Sequence, residues 1–162
     1  MTRIVGFALT LFASGLAAGQ NTSPITGQWM VAGPVVLDRV PLKFFTPPNN
    51  ISESAIPLSQ LRAPLDLVRE AGTLHFEGSL QDGGGGSFTF RSNPSFPAEM
   101  SSLGIGGLTD RIMFVLAVYD VGSTYVRGLN ALGVQPRSAN QLIGMAALHV
   151  TLEYVREFAA LG

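Results

Sequence analysis

The chain contains no cysteine. That excludes disulfides, thiolate zinc sites, cysteine nucleophiles and a lipid-modified N-terminal cysteine. Charge is sparse as well: charged residues make up 13% of the 162, and Lys43 is the sole lysine. Ten cationic residues stand against eleven acidic ones, so no basic surface is available to displace counterions from phosphates, and nucleic acid is not expected as a partner. His75 and His149 are the only imidazoles, so a metal site would rest on them and on carboxylates. Hydrophobic residues, at 46%, separate the chain from disordered polymers and fit a packed domain of ordinary size.

One long apolar run is present, and it lies at the N-terminus. Ile4 to Leu16 is almost wholly apolar, preceded by Arg3 and followed by Ala17-Ala18-Gly19. The run falls short of the ~20 residues a spanning helix needs. Charge, short apolar core and small residues at −3 and −1 are the pattern of a signal peptide cleaved after Gly19. Residues 1–19 are therefore expected to be removed, leaving a periplasmic or secreted protein with no membrane span. Nine cationic and eleven acidic residues then remain, a net charge of −2.

Residues 20–93 read as strands and turns. Gln28 to Val31, Val35 to Leu37, Pro41 to Phe45 and Leu65 to Val68 are strand candidates, and Thr46-Pro47-Pro48-Asn49-Asn50 breaks the chain. The clearest local signal is a hairpin. Leu74, Phe76 and Leu80 alternate with polar residues, Asp82-Gly83 and its glycines turn the chain, and Phe88 and Phe90 alternate again. Period-two alternation places the aromatics on one face.

Residues 94–162 read as helices. Phe96-x3-Met100-x2-Leu103-Gly104, Tyr125-x3-Leu129-x2-Leu132-Gly133 and Tyr154-x3-Phe158-x2-Leu161-Gly162 are spaced by 29. Positions i, i+4 and i+7 share a helical face, and glycine after the last leucine is the expected left-handed cap. Asn93, Gly122 and Thr151 occupy one N-cap position, Thr109 and Ser138 another, and Ser138-Ala139-Asn140-Gln141 is a capping box. Such helix pairs bury their faces only by stacking. The aromatic face of Phe76, Phe88 and Phe90 is the surface expected to meet them. The predicted fold is α+β: a small antiparallel sheet followed by stacked short helix pairs with a 29-residue repeat, one compact unit with a boundary near Asn93.

Arg69-Glu70-Ala71-Gly72-Thr73-Leu74-His75-Phe76-Glu77-Gly78, Gly86-Ser87-Phe88-Thr89-Phe90, Asn93-Pro94-Ser95-Phe96 and His149-Val150-Thr151-Leu152-Glu153-Tyr154 carry a resemblance. Residues 58–162 resemble the extracytoplasmic C-terminal region of bacterial BlaR-like membrane metallopeptidase sensors, which also occurs as free-standing exported proteins. The resemblance implies an accessory module on the export side. It does not extend to the peptidase: His-Glu-x-x-His is absent, as is a penicillin-binding Ser-x-x-Lys. Asp120 and Gly122 also replace the histidine and threonine usual in the middle unit.

Few residues suggest chemistry. The four-glycine run Gly83 to Gly86 is followed by a strand, not the helix N-terminus a phosphate loop needs. His75 and Glu77 share the polar face of one strand about 7 Å apart, as an acid/base pair, half a metal site or a solvated face. His149 ends a helix, where histidine favours the dipole. Arg127 and Arg156, 29 apart, offer a basic edge or a solvated helix face. Trp29, Phe44 and Phe45 are either core or anchors for a partner. Ser101 and Ser102 have no nearby base.

No catalytic residue, cofactor or metal is assigned. His75, Glu77, Arg127 and Arg156 form the candidate interaction surface. The expected function is an exported, non-catalytic interaction or structural module whose partner is an envelope or periplasmic protein. The alternatives are a small-ligand receptor with its pocket between sheet and helices, and a hydrolase using His75 and Glu77. Oligomeric state is left open.

Overall fold

The computed structural model describes residues 23–62, 65–80 and 83–160. The expected signal peptide, Asp82 and the Leu161-Gly162 end of the third stripe lie outside the described residues. The strands are β1 (Ile25–Val31), β2 (Arg39–Thr46), β3 (Asn50–Pro57), β4 (Leu61–Arg62), β5 (Asp66–Arg69), β6 (Gly72–Gly78) and β7 (Gly85–Ser92). They form one antiparallel sheet in the order β3-β2-β1-β7-β6-β5-β4. Two meanders, β1 to β3 and β4 to β7, are thus joined where β1 pairs with β7, Gly27 opposite Phe88. The helices are α1 (Phe96–Ser102), α2 (Asp110–Val118), α3 (Ser123–Ala131), α4 (Ala139–Ala147) and α5 (Leu152–Ala159). The architecture is α+β, and no single described helix is long and apolar enough to cross a membrane.

Alternation sorts the side chains. Val40, Leu42 and Phe44 of β2, Leu74 and Phe76 of β6, and Phe88 and Phe90 of β7 are all buried on one face. α2 packs across that face against β1, β3, β6 and β7. Phe114 of α2 stacks on Phe88 at 5.2 Å between centroids, and meets Phe44 and Phe90 edge-on. The aromatic face does meet the helices, and its rings fill the interface. Trp29, Phe44, Phe88, Phe90 and Phe114 pack into the space between the sheet and α2.

The strand expectations need three corrections. Val35 to Leu37 is a hairpin turn. Leu37 and Asp38 take φ of 50° and 60°, and Val36 and Arg39 exchange two backbone hydrogen bonds at 3.0 Å. The break at residues 46–50 is a tight turn that leads into β3, an unforeseen strand. Gly85 and Gly86, read as part of the turn, belong to β7 in the middle of the sheet.

Thr109, Ser138 and Thr151 cap α2, α4 and α5, each hydroxyl accepting from the amide three residues on. Gln141 reaches back to the Arg137 amide at 2.7 Å, one residue earlier than a capping box requires. α1 is capped at Ser95 rather than Asn93, whose side chain instead accepts from the Ser95 amide at 3.1 Å. Gly104 and Gly133 take the left-handed φ expected of them, 86° and 81°. Caps of α2 and α4, and of α3 and α5, keep the 29-residue spacing, yet the helices play unlike parts. α2 lies on the sheet, α4 lies on α2, and α5 buries no residue fully. The 29-residue spacing is kept by caps and helix ends, while the surroundings of the helices differ.

Candidate functional site

The outer face of the sheet carries His75 and Glu77, and it does not bring them together. Cross-strand register places Thr26, Thr89, His75 and Asp66 in one row, and Ile51, Phe45, Gln28, Ser87 and Glu77 in another. His75 Nδ1 lies 2.6 Å from Asp66 Oδ1. Glu77 Oε2 accepts from Ser87 Oγ at 3.0 Å. The carboxylate that faces His75 is thus Asp66 on the neighbouring strand. Sequence spacing along β6 pointed to Glu77, because residues two apart share a face but lie farther apart than cross-strand neighbours. Among the described residues no group of three His, Asp or Glu side chains is placed to hold a metal ion.

Arg127 and Arg156 differ in role. Arg127 donates to Glu99 at 2.9 Å and to Ser123 Oγ at 2.8 Å, tying α3 to α1. A hydrogen bond from Ser123, and next the Arg127 guanidinium, hold the Glu99 carboxyl below its ordinary value. Arg156 stands exposed on α5 with no ion pair among the described residues. His149 holds φ 56° just past α4, and its amide donates to the Ala146 carbonyl at 3.0 Å. Its role is that of the C-terminal cap, a position glycine usually takes. Asp120 holds the equivalent place after α2 with φ 59°.

Asp120 also anchors the helices to the sheet. The Arg69 side chain, only 8% exposed, approaches Asp120 with Nε at 3.2 Å and donates to Gln60 at 2.8 Å. The Nε approach is an ion pair without hydrogen-bond alignment. Burial pushes the Arg69 guanidinium below its ordinary pKa, and Asp120 opposes that shift. The adjacent Glu70 caps α3 from outside the helix: its carboxylate accepts from the Ser123 amide at 2.8 Å. Gly122 makes this possible, since a Cβ there would fall 2.4 Å from the Glu70 carboxylate. Gly122 has no hydroxyl to offer, and the cap of α3 is supplied instead by the β5–β6 turn. Removing it in Glu70→Ala is expected to cost about 1 kcal/mol, read as a shift of the urea midpoint.

Two shallow depressions of about 300 and 280 Å³ flank this junction. The second is bounded by Tyr119, Tyr125, His149 and Leu152, and the Tyr125 hydroxyl donates to the Val150 carbonyl at 2.5 Å. Burial raises the Tyr125 pKa. Beyond it, α5 turns an apolar side to solvent. Tyr154 and Phe158 are 56% and 70% exposed and stack at 6.4 Å, and Leu148 is 79% exposed. The stripe beginning at Tyr154, expected to be buried, faces outward; Leu152 and Val155 point inward instead. Trp29 and Phe44 are core residues, whereas Phe45 lies half-buried on the outer face. Comparison of the chain with protein-family models, with curated proteins and with solved structures finds no match.

Proposed function

We propose that the protein is an exported, non-catalytic interaction module that works beside an envelope or periplasmic protein. The observation that carries this reading is the outward side of α5. A stacked Tyr154–Phe158 pair exposes large apolar surface on a helix that buries no residue fully, and Leu148 at the end of α4 is exposed as well. Clustered exposed apolar side chains mark interaction surfaces, and aromatic rings anchor them with little entropy loss. Glu153, Arg156 and Glu157 lie exposed on the same helix and give the apolar patch a rim of mixed charge that orients a partner. The N-terminal signal pattern and the resemblance to the export-side region of BlaR-like sensors support the same reading.

A photo-crosslinking side chain in place of Phe158 tests it in bacterial cells. One specific envelope protein is expected to be captured, with capture lost when Tyr154→Asp is added. Crosslinks that are diffuse, or unchanged by Tyr154→Asp, would overturn the proposal. Phe158→Asp itself is expected to leave stability within about 0.5 kcal/mol, because an exposed position contributes little to folding.

A further inference from the structure

We propose that the outer edge of β3 is a strand-addition site for an extended peptide segment of alternating apolar and cationic character. β3 ends the sheet and is eight residues long, whereas β4 at the opposite end has two. Proteins blunt their sheet edges by shortening or covering them, because an open edge is a template for another strand. The β4 edge is blunted in this way, whereas along β3 only the Ala55 carbonyl is covered, by Arg39.

Hydrogen-bond parity identifies which groups of β3 are open. The Ala32 amide donates to the Pro41 carbonyl at 2.8 Å, so Pro41 directs its backbone polar group toward β1. Residues opposed across an antiparallel pair either bond each other or both face away. Pro41 opposes Ala55, Lys43 opposes Glu53 and Phe45 opposes Ile51. Ile51, Glu53 and Ala55 therefore aim their N–H and C=O groups away from β2, at the free edge. The Arg39 guanidinium takes the Ala55 carbonyl. The other edge-facing groups of these three residues have no partner among the described residues.

The side chains at the edge select the occupant. Ile51, 64% exposed, borders an open depression of about 420 Å³ on the outer face, with Phe45, Pro47 and Pro48 in its wall. Two residues on, Glu53 pairs with Lys43 of β2 at 3.5 Å and keeps 55% of its side chain exposed. An added strand thus meets an apolar place and an acidic place at the two-residue spacing of strand side chains. It fits an apolar residue beside Ile51 and a Lys or Arg beside Glu53. A second copy fits less well. Self-pairing that uses all three open residues sets Glu53 directly opposite Glu53, and like charges opposed across strands repel.

This second surface extends the interaction-module reading, and it stands apart from α5, so either can fail alone. The probe is the peptide Thr-Val-Thr-Lys-Thr-Val-Thr with blocked ends, titrated into the isotope-labelled protein and followed by backbone amide shifts. Its Val-x-Lys-x-Val pattern matches the edge in antiparallel pairing. Saturable shifts confined to β3 and its turn are expected. N-methylation of the Val and Lys amides, which face β3, is expected to weaken binding at least tenfold. N-methylation of the Thr amides, which face solvent, is expected to leave it unchanged. Ala55→Pro removes an edge donor outside the β2–β3 ladder, a position edge strands tolerate, and is expected to weaken binding as well. Phe158→Asp is expected to leave peptide binding intact. Equal affinity of the two methylated peptides, shifts centred elsewhere, or no saturable binding up to about 1 mM would overturn the proposal.

Discussion

Phe114→Ala is expected to destabilise the protein by about 3–5 kcal/mol, the range for removing a fully buried aromatic ring. Phe114 is 2% exposed and touches three other rings, one on each of β1's neighbours β2 and β7 and a second on β7. Its loss leaves a cavity whose walls are strands locked in register, so the site has little freedom to collapse. The parallel stack on Phe88 adds to the loss, since aromatic pairs contribute about 0.5–1.5 kcal/mol beyond their buried area. Phe114→Leu keeps most of the volume and is expected to cost less than half as much. Urea unfolding of the two variants measures the difference. Equal and small losses in both would mean that α2 does not hold the sheet face as described.

Gly86→Ala is the second change with a large expected effect, on the order of 3 kcal/mol. A Cβ at Gly86 would sit 1.8 Å from the Glu77 carbonyl oxygen and 3.0 Å from Gly78 Cα. Every one of these atoms is backbone, so β6 and β7 must part to admit it. Register explains the crowding. Phe44, Trp29, Gly86 and Gly78 form one inward row, and the Trp29 indole reaches past the bare glycine to donate to the carbonyls of Glu77 and Ser87 at 3.2 and 3.0 Å. A methyl at Gly86 therefore disturbs the ladder and displaces the only tryptophan. Thermal unfolding and the Trp29 emission maximum should report both, the midpoint falling and the emission moving to longer wavelength. Gly83→Ala is the control: its Cβ would meet nothing within 4 Å, leaving only the cost of its positive φ, about 1 kcal/mol.

The α+β class, the β6–β7 hairpin and the helix starts at Thr109, Ser138 and Thr151 were legible in the sequence because each is local. Alternation at Leu74 to Phe76 and Phe88 to Phe90 needs only neighbouring residues, and so does a hydroxyl three residues before its amide. β3 was not legible: Ile51-Ser52-Glu53-Ser54-Ala55-Ile56 buries only Ile56, and its apolar content is too thin to mark a strand. The partner of His75 was hidden for a different reason. Asp66 is nine residues away along the chain, and only the pairing of β5 with β6 brings the two together. The Glu70 cap of α3, 53 residues from its amide, is likewise a product of tertiary structure. The stripe from Tyr154 is periodic, as its spacing predicts, but it lies on the side of α5 that faces solvent. Periodicity fixes which residues share a helix face, and not whether anything in the fold covers that face.

The pairing of β1 with β7 has a consequence for how the chain leaves the ribosome. β1 finds β2 within a few residues, but its second partner is made roughly 60 residues later. At about 5–20 residues per second, this interval lasts roughly 3–12 s. Throughout it, the β1–β3 meander lacks both α2 and one flank of its central strand, leaving Trp29 and Phe44 unprotected. A nascent chain in that interval is a natural client for a holdase, and delayed synthesis between residues 57 and 85 would lengthen the vulnerable period without altering the finished protein.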